Sequence, residues 1–226
     1  MSLPPSNRLS VERYRAHAAG YDASARRTMP LRHRTIGLLG LAPGEVVLDV
    51  GAGTGLSFAP LLAAVGEQGR VLAVEQSPEM FAQARNRVEH HGWRNVWLCE
   101  APAESVTLPQ PPTALLFNYV HDIMRSDAAV ANLLSQAAPG ARIAVAGMKF
   151  FPWWTGPLNL LAWLKNRPYN ARPGELWHPW DKVEACCETF SRSSTQFGMG
   201  YIAHGRLKMA IPPAAKAPAA ARQYLS

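Results

Sequence analysis

The sequence has 226 residues, of which 48% are hydrophobic and 17% are charged, and its net charge is +7. This length predicts one sizeable α/β domain with additions, and no apolar run is long enough to predict a membrane-spanning helix. The first five residues lack the basic-then-apolar pattern of a signal peptide.

The basic excess is unevenly distributed along the chain. Residues 45–148 carry six basic residues against ten acids, whereas residues 149–226 carry ten against four. No dense run of Lys and Arg occurs, so we expect no nucleic-acid partner. A basic surface could still attract an acidic substrate or an anionic lipid surface, and simple solubility explains it equally well.

The three cysteines, Cys99, Cys186 and Cys187, indicate reduced thiols. Two of them are adjacent, and no Cys-x-x-Cys or Cys/His spacing suggests a metal ligand set. We therefore predict a cytoplasmic protein without a metal site.

The N-terminal part predicts two helices over residues 8–40, which are separated near Met29 and Pro30. Tyr14 and Tyr21 recur at roughly helical spacing in the first of them. Residues 41–44 contain Pro43 and Gly44 and predict a turn into the first strand.

The most informative stretch is residues 46–55. Residues 46–50 are mainly β-branched or apolar, as in a strand buried on both faces. Gly51, Gly53 and Gly55 follow, where the backbone has to turn sharply and a ligand can approach. Residues 56–65 predict a helix. A strand, a glycine-rich turn and a helix N-terminus together indicate a nucleotide or nucleoside site.

Further strands and helices alternate after this motif. The predicted strands are 70–75, 96–99, 114–117 and 143–146, with helices starting after Ser77 and spanning 126–137, and a final hairpin of 189–197 and 200–209. Ser77 and Ser126 are suitable N-caps. From residue 211 onward the composition predicts a mobile tail.

Two stretches, Asp49 to Gly55 and Glu75 to Met80, resemble the cofactor motifs of class I S-adenosylmethionine (SAM)-dependent methyltransferases. The resemblance is to small-molecule enzymes such as those of ubiquinone and menaquinone biosynthesis. It implies a Rossmann-like, seven-stranded, mostly parallel sheet with helices on both faces. It also implies an N-terminal helical lid (1–44) and a SAM-binding domain (45–210) with an acceptor-side insertion near 150–180.

The same resemblance implies a set of SAM-binding residues. Glu75, at the end of the second strand, would accept the ribose hydroxyls, while Gln76 and Met80 would line the adenosine pocket. The chain carries Pro102 where many relatives have an aspartate near adenine, so a backbone contact at Ala103 or the Glu104 side chain would replace it. The full set is Asp49, Gly51, Ala52, Gly53, Gly55, Glu75, Gln76, Met80, Ala103, Glu104 and Asn118.

Residues at the mouth of the site are candidates for acting on the acceptor. Tyr119, His121 and Asp122 follow the fourth strand, and in this family Tyr14 and Tyr21 would belong to the lid. His121 can be interpreted as a general base or as a structural histidine, and Asp122 or His178 could also serve as the base.

The aromatic stretch 150–164 permits several interpretations: a core helix, a wall for the acceptor, a peripheral membrane contact or a dimer patch. We predict methyl transfer from SAM to an N or O nucleophile of a small molecule by a monomer or homodimer. Three alternatives remain: a lipid-headgroup N-methyltransferase, an enzyme that cyclises or cleaves SAM itself, and a non-catalytic SAM-sensing module.

Overall fold

The computed structural model describes residues 28–151, 155–157, 159–160, 176–209 and 222–225. Tyr14, Tyr21 and most of the expected lid therefore lie outside the described residues, as does most of the aromatic stretch. No helix in the described ranges is long and apolar enough to cross a bilayer.

The described elements alternate between strands and helices as the sequence predicts. They are α1 (Met29–Leu38), β1 (Val46–Val50), α2 (Phe58–Val65), β2 (Arg70–Glu75), α3 (Pro78–His91), β3 (Val96–Glu100), β4 (Ala114–Asn118), α4 (His121–Arg125), α5 (Asp127–Ser135), β5 (Arg142–Met148), α6 (Asp181–Ala185), β6 (Cys187–Thr195), β7 (Gly200–Leu207) and β8 (Arg222–Leu225). Ser77 and Ser126 cap α3 and α5, because each hydroxyl accepts a backbone N–H from its helix's first turn. The short helix α4 is an element that the sequence pattern did not indicate.

The strands form one sheet in the order β6-β7-β5-β4-β1-β2-β3-β8. The five strands β3, β2, β1, β4 and β5 pair in parallel, and β7 and β6 add antiparallel strands beside β5. These seven strands confirm the Rossmann-like prediction. Their carboxyl ends meet at one edge of the sheet, where α/β folds bind ligands.

The sheet has one strand more than the sequence indicated. Arg222–Leu225 pair antiparallel with β3, with Trp97 opposite Leu225. Residues 222–225 therefore form a strand within the stretch whose composition predicts a mobile tail. The edge of β3 presents unpaired backbone N–H and C=O groups, and a returning chain end satisfies them whatever its local composition.

Helices cover both faces of the sheet because successive strand residues point to opposite sides. On one face Val47 packs with residues of α1, α2 and α3, including Ile36 and Leu61. On the other face Leu48 packs with residues of α5 and α6, including Leu133 and Val183. Asp49 follows the alternation of Val47 and faces the side of α1.

Candidate active site

The loop after β1 needs glycine on geometric grounds. Gly51, Gly53 and Gly55 all have positive φ angles, of 61°, 59° and 79°. A Cβ at Gly51 would lie 2.5 Å from Val120 Cγ1, in the loop after β4. Side chains would therefore both strain this loop and close the space between β1 and β4. The loop lies at the carboxyl edge of the sheet, as the motif predicts.

Glu75 ties this loop to the second strand and to α3. Its Oε2 accepts the Gly53 N–H at 2.8 Å and its Oε1 accepts the Ser77 N–H at 2.7 Å. Burial raises the pKa of this carboxyl, and the backbone donors act in the opposite direction. The side chain lies where the resemblance implies a ribose-binding acid, and its binding of ribose hydroxyls stays a prediction.

Asp49 and Arg32 form a buried pair of opposite charges beside the loop. Asp49 is 2% exposed, and its Oδ2 has no hydrogen-bond partner among the described residues. Burial raises the pKa of Asp49 to about 7, against the opposing influence of the Arg32 charge. Arg32 is itself 5% exposed and comes from α1. Its guanidinium reaches Ser57 Oγ at 3.4 Å.

No apolar stripe in the sequence of α1 marks Arg32 as buried. In the structure Arg32 lies on the same helical face as Thr35 and Ile36, which are also buried. An arginine inside a buried stripe is rarely placed there without a partner. The guanidinium also lies 5.6 Å from the centre of the Tyr119 ring, a cation–π distance. This contact places Tyr119 next to the same charges.

The end of β4 contributes two further polar side chains. Asn118 is 5% exposed, and neither its Oδ1 nor its Nδ2 has a partner among the described residues. Tyr119 follows with φ of 60°, an uncommon conformation for a residue with a side chain, and its N–H donates to Ala146 O at 2.8 Å. Such strain is found preferentially at functional sites.

His121 is held in a neutral form. Its Nε2 accepts the Met148 N–H at 3.0 Å, and burial lowers its pKa to about 4. The proton of the neutral ring must then be on Nδ1, which has no partner among the described residues. In this geometry His121 offers a donor, so the arrangement favours a binding role over the general-base interpretation.

Asp49, Asn118 and His121 share an unusual property, since each carries a buried polar atom without a described partner. All three lie at or beside the carboxyl edge of β1 and β4. Buried polar groups are normally hydrogen-bonded, so a polar ligand is expected to complete them. The amino-acid end of SAM would suit this set, with Asp49 for its ammonium and with Arg32 and Asn118 for its carboxylate, and these contacts stay a prediction. The residues present thus suit the cofactor that the resemblance implies.

The remaining candidates occupy varied positions. Met80 is buried in the first turn of α3, and Gln76 is half-buried beside Glu75. The Glu104 carboxylate accepts the Ser126 hydroxyl at 3.1 Å, and the Ala103 carbonyl accepts an Asn132 N–H at 2.9 Å. Both groups therefore support α5.

Three further candidates lie in α4, in the glycine loop and beyond β5. Asp122 is half-buried in the first turn of α4, and Ala52 is buried in the glycine loop. His178 is exposed and lines a separate cavity. Among the described residues no group of three His, Cys, Asp or Glu could hold a metal ion.

Comparisons with known proteins identify the family. A family model described as Protein-L-isoaspartate(D-aspartate) O-methyltransferase (PCMT) matches residues 13–145. A protein-L-isoaspartate O-methyltransferase of Aeropyrum pernix is 34% identical over 135 residues, which are 60% of this chain and 48% of that protein. The chain thus spans about half the length of that relative.

A second relative and a solved structure also carry the name methyltransferase. The aklanonic acid methyltransferase DauC of Streptomyces sp. is 30% identical over 65% of this chain and 71% of its own length. A SAM-dependent methyltransferase of Aquifex aeolicus superposes with a TM-score of 0.60 at 21% identity, covering 78% of this chain and 89% of that one, which supports the fold. The chain therefore belongs to the protein-L-isoaspartate(D-aspartate) O-methyltransferase family, and with it to the class I SAM-dependent methyltransferases.

Proposed function

We propose that this protein transfers the methyl group of SAM to an oxygen or nitrogen nucleophile of a small molecule. The observation that carries the proposal is the set of buried polar atoms on Asp49, Asn118 and His121, beside the glycine loop, that have no partner among the described residues. Related proteins are named for acting on isoaspartate in proteins and on aklanonic acid. One name refers to a residue of a protein and the other to a separate acid, but both names refer to an acidic acceptor.

The chain's own residues account for binding of the cofactor. SAM, when bound, would supply a methyl group activated by a sulfonium, and attack of a nucleophile on this methyl carbon would release S-adenosylhomocysteine as the leaving group. The glycine loop lets the backbone approach the ligand, and Glu75 provides a carboxylate at the ribose position. Asp49 and Arg32 provide opposite charges for the ammonium and carboxylate of the methionine end. Because Asp49 and Arg32 are buried, these charges act in a low-dielectric site where they are little screened.

The acceptor side favours a nucleophile that needs no strong base. His121 presents an N–H rather than a lone pair, because its Nε2 is occupied by the Met148 N–H. A carboxylate or a neutral amine already has the required lone pair at neutral pH. The main task of the protein is then to align this atom behind the methyl carbon and to exclude water. Tyr119, fixed between Arg32 and β5, is positioned to orient the acceptor.

The first test is mass spectrometry of the protein with SAM alone and then with SAM and a cell extract. We expect S-adenosylhomocysteine only when extract is present, and a labelled methyl group would then identify the acceptor. Glu75→Ala should abolish the product, whereas Glu188→Gln, a change on the exposed face of β6, should not. Other breakdown products of SAM without extract would favour intramolecular displacement of SAM. Binding of SAM without any turnover would favour a sensing module.

We further propose that the protein works in the cytoplasm as a monomer or homodimer, without nucleic acid. The three free thiols, Cys99, Cys186 and Cys187, suit a reducing compartment. Light scattering coupled to size-exclusion chromatography, with and without SAM, measures the oligomeric state. A lipid-headgroup acceptor, with peripheral membrane contact, is tested by the same extract assay, since the labelled methyl group would appear in the lipid fraction.

A further inference from the structure

A separate open cavity of about 440 Å³ lies beyond the carboxyl end of β5. Its volume falls in the range of pockets that bind small molecules. Three basic side chains, Lys149, His178 and Arg192, line it together with aromatic residues, and none of the described residues that line it is an Asp or a Glu. Neither the cofactor motifs nor the comparisons assign a role to this cavity.

The charge of Lys149 is not balanced within the described part of the chain. Its Nζ donates to Ser194 Oγ at 2.8 Å, and no carboxylate pairs with it there. Arg192, by contrast, forms an ion pair with Glu184 at 2.6 Å. Burial lowers the pKa of Lys149, and the charge of Arg192 adds to this effect. Among the described residues, Glu184 is thus the carboxylate that accompanies the two cations Lys149 and Arg192. An excess positive charge remains, which an anion would neutralise.

The walls of the cavity are flat and aromatic. The Trp180 ring packs against Tyr201 at 4.7 Å between centroids, and Phe150 packs against Trp177 at 5.2 Å. Trp177 is 40% exposed, so part of its ring is open to a ligand. A planar or apolar body could cover it. The cavity therefore combines an anion-binding end with an aromatic surface.

The cavity lies next to the candidate active site, across the end of β5. Met148, whose N–H binds His121, is the residue before Lys149. Tyr201 lines the cavity, and its ring centroid is 6.5 Å from that of His121. Gly147 permits this approach, because a Cβ there would lie 2.4 Å from His121 Cε1 and 2.9 Å from Tyr201 Cε1. A molecule in the cavity would thus contact Tyr201, whose ring packs near His121.

We propose that this cavity is the acceptor pocket, and that it selects a planar small molecule carrying a carboxylate or phosphate. Lys149 binds the anionic group, and the exposed ring of Trp177 contacts the planar body. This inference rests on the proposed methyl transfer, because only that reaction has an acceptor. It adds the chemical class of the acceptor. A concave, aromatic cavity suits a small molecule better than a membrane surface, which is flat.

Calorimetric titration with three probes of one shape tests the inference. The probes are naphthoate, naphthyl phosphate and the neutral naphthamide, and the first two distinguish a carboxylate from a phosphate as the preferred anion. We expect at least one anion to bind about fivefold to tenfold more tightly than naphthamide, as for a charge-assisted hydrogen bond in a partly open site. Lys149→Gln should remove this preference, and Lys149→Arg should keep most of it. Lys208→Gln, an exposed lysine outside the cavity, is the matched control.

Two further measurements separate the possible failures. Thermal unfolding and S-adenosylhomocysteine binding should be the same in Lys149→Gln and wild type, so a lost preference reports the cavity. Equal affinity for naphthamide and both anions, or equal losses in Lys149→Gln and Lys208→Gln, would overturn the inference. Binding of the protein to phosphatidylglycerol vesicles without binding of any probe would also overturn the inference, because that result would assign the surface around the cavity to a membrane. A negative extract assay together with anion binding would instead overturn only the methyl transfer.

Discussion

Replacing Asp49 by asparagine is expected to stabilise the ligand-free protein while weakening its binding of SAM. Asp49 is 2% exposed and one of its oxygens has no described partner, so its ionised form is poorly solvated. Burial therefore raises the pKa of Asp49 to about 7, from an ordinary value of 3.8. Asparagine keeps the shape of the side chain and removes the charge.

The raised pKa determines both the sign and the size of the effect. Between pH 4 and pH 7 the folded state binds a proton that the unfolded chain has released, so the free energy of unfolding falls as the pH rises. The total loss corresponds to about 4 kcal/mol at 1.36 kcal/mol per pKa unit. Roughly 2 to 3 kcal/mol of it develops between pH 5 and pH 8. Asp49→Asn removes this dependence.

Urea unfolding of both proteins at pH 5 and pH 8 measures the difference directly. We expect the advantage of Asp49→Asn to grow by about 2 kcal/mol across this range. Glu188→Gln, on the exposed face of β6, should differ from wild type by less than about 0.5 kcal/mol at both pH values. In calorimetry at pH 8, Asp49→Asn should bind S-adenosylhomocysteine at least roughly tenfold more weakly, since it loses a charged contact. An advantage that does not change with pH would refute the reasoning about the buried charge.

Three further predictions concern the loop, the histidine and the last strand. Gly51→Ala should lower the free energy of unfolding by about 2 to 4 kcal/mol in urea titrations, because it adds a steric clash to an unfavourable φ. Gly92 has a similar φ of 64° but open space around it, so the control Gly92→Ala should lower the free energy of unfolding by only about 1 kcal/mol. The nitrogen chemical shifts of His121 should show a neutral ring from pH 8 down to about pH 5, because burial lowers its pKa to about 4; titration near pH 6.5 would contradict this. Stability from the neutral ring is complete above pH 6.5 and is lost as the pH falls towards 4. Removal of residues 210–226 should speed amide hydrogen exchange along β3, whose edge β8 covers, and leave exchange in β4 unchanged.

The cofactor half of the site could be predicted from the sequence because its requirements are local. A glycine with positive φ, a strand of apolar residues and an acid at the end of the next strand each leave a mark within a few residues. Gly51 and Glu75 accordingly lie at the sheet edge where the motif indicated. Ser77 is likewise confirmed as a cap, because capping joins a hydroxyl to an N–H three residues away.

The acceptor half depended on contacts between distant segments. Arg32 became a site residue because α1 packs over β5 and β7, which no local pattern of α1 specifies. The charge of Lys149 is unbalanced because Glu184 of α6 pairs with Arg192 of β6 instead. His121 appeared equally suited to catalysis and structure, until the Met148 N–H fixed which of its nitrogens carries the proton.

The sequence by itself therefore determined the fold class and the family's cofactor motif, since both follow from hydrophobic periodicity and backbone geometry. Only the tertiary structure decided which charges are buried together, which polar atoms lack partners and where the chain end pairs. Those properties depend on solvent exclusion and on the alignment of strands that are far apart in sequence. Sequence spacing does not encode them, because each arises from the packing of the whole sheet and its helices.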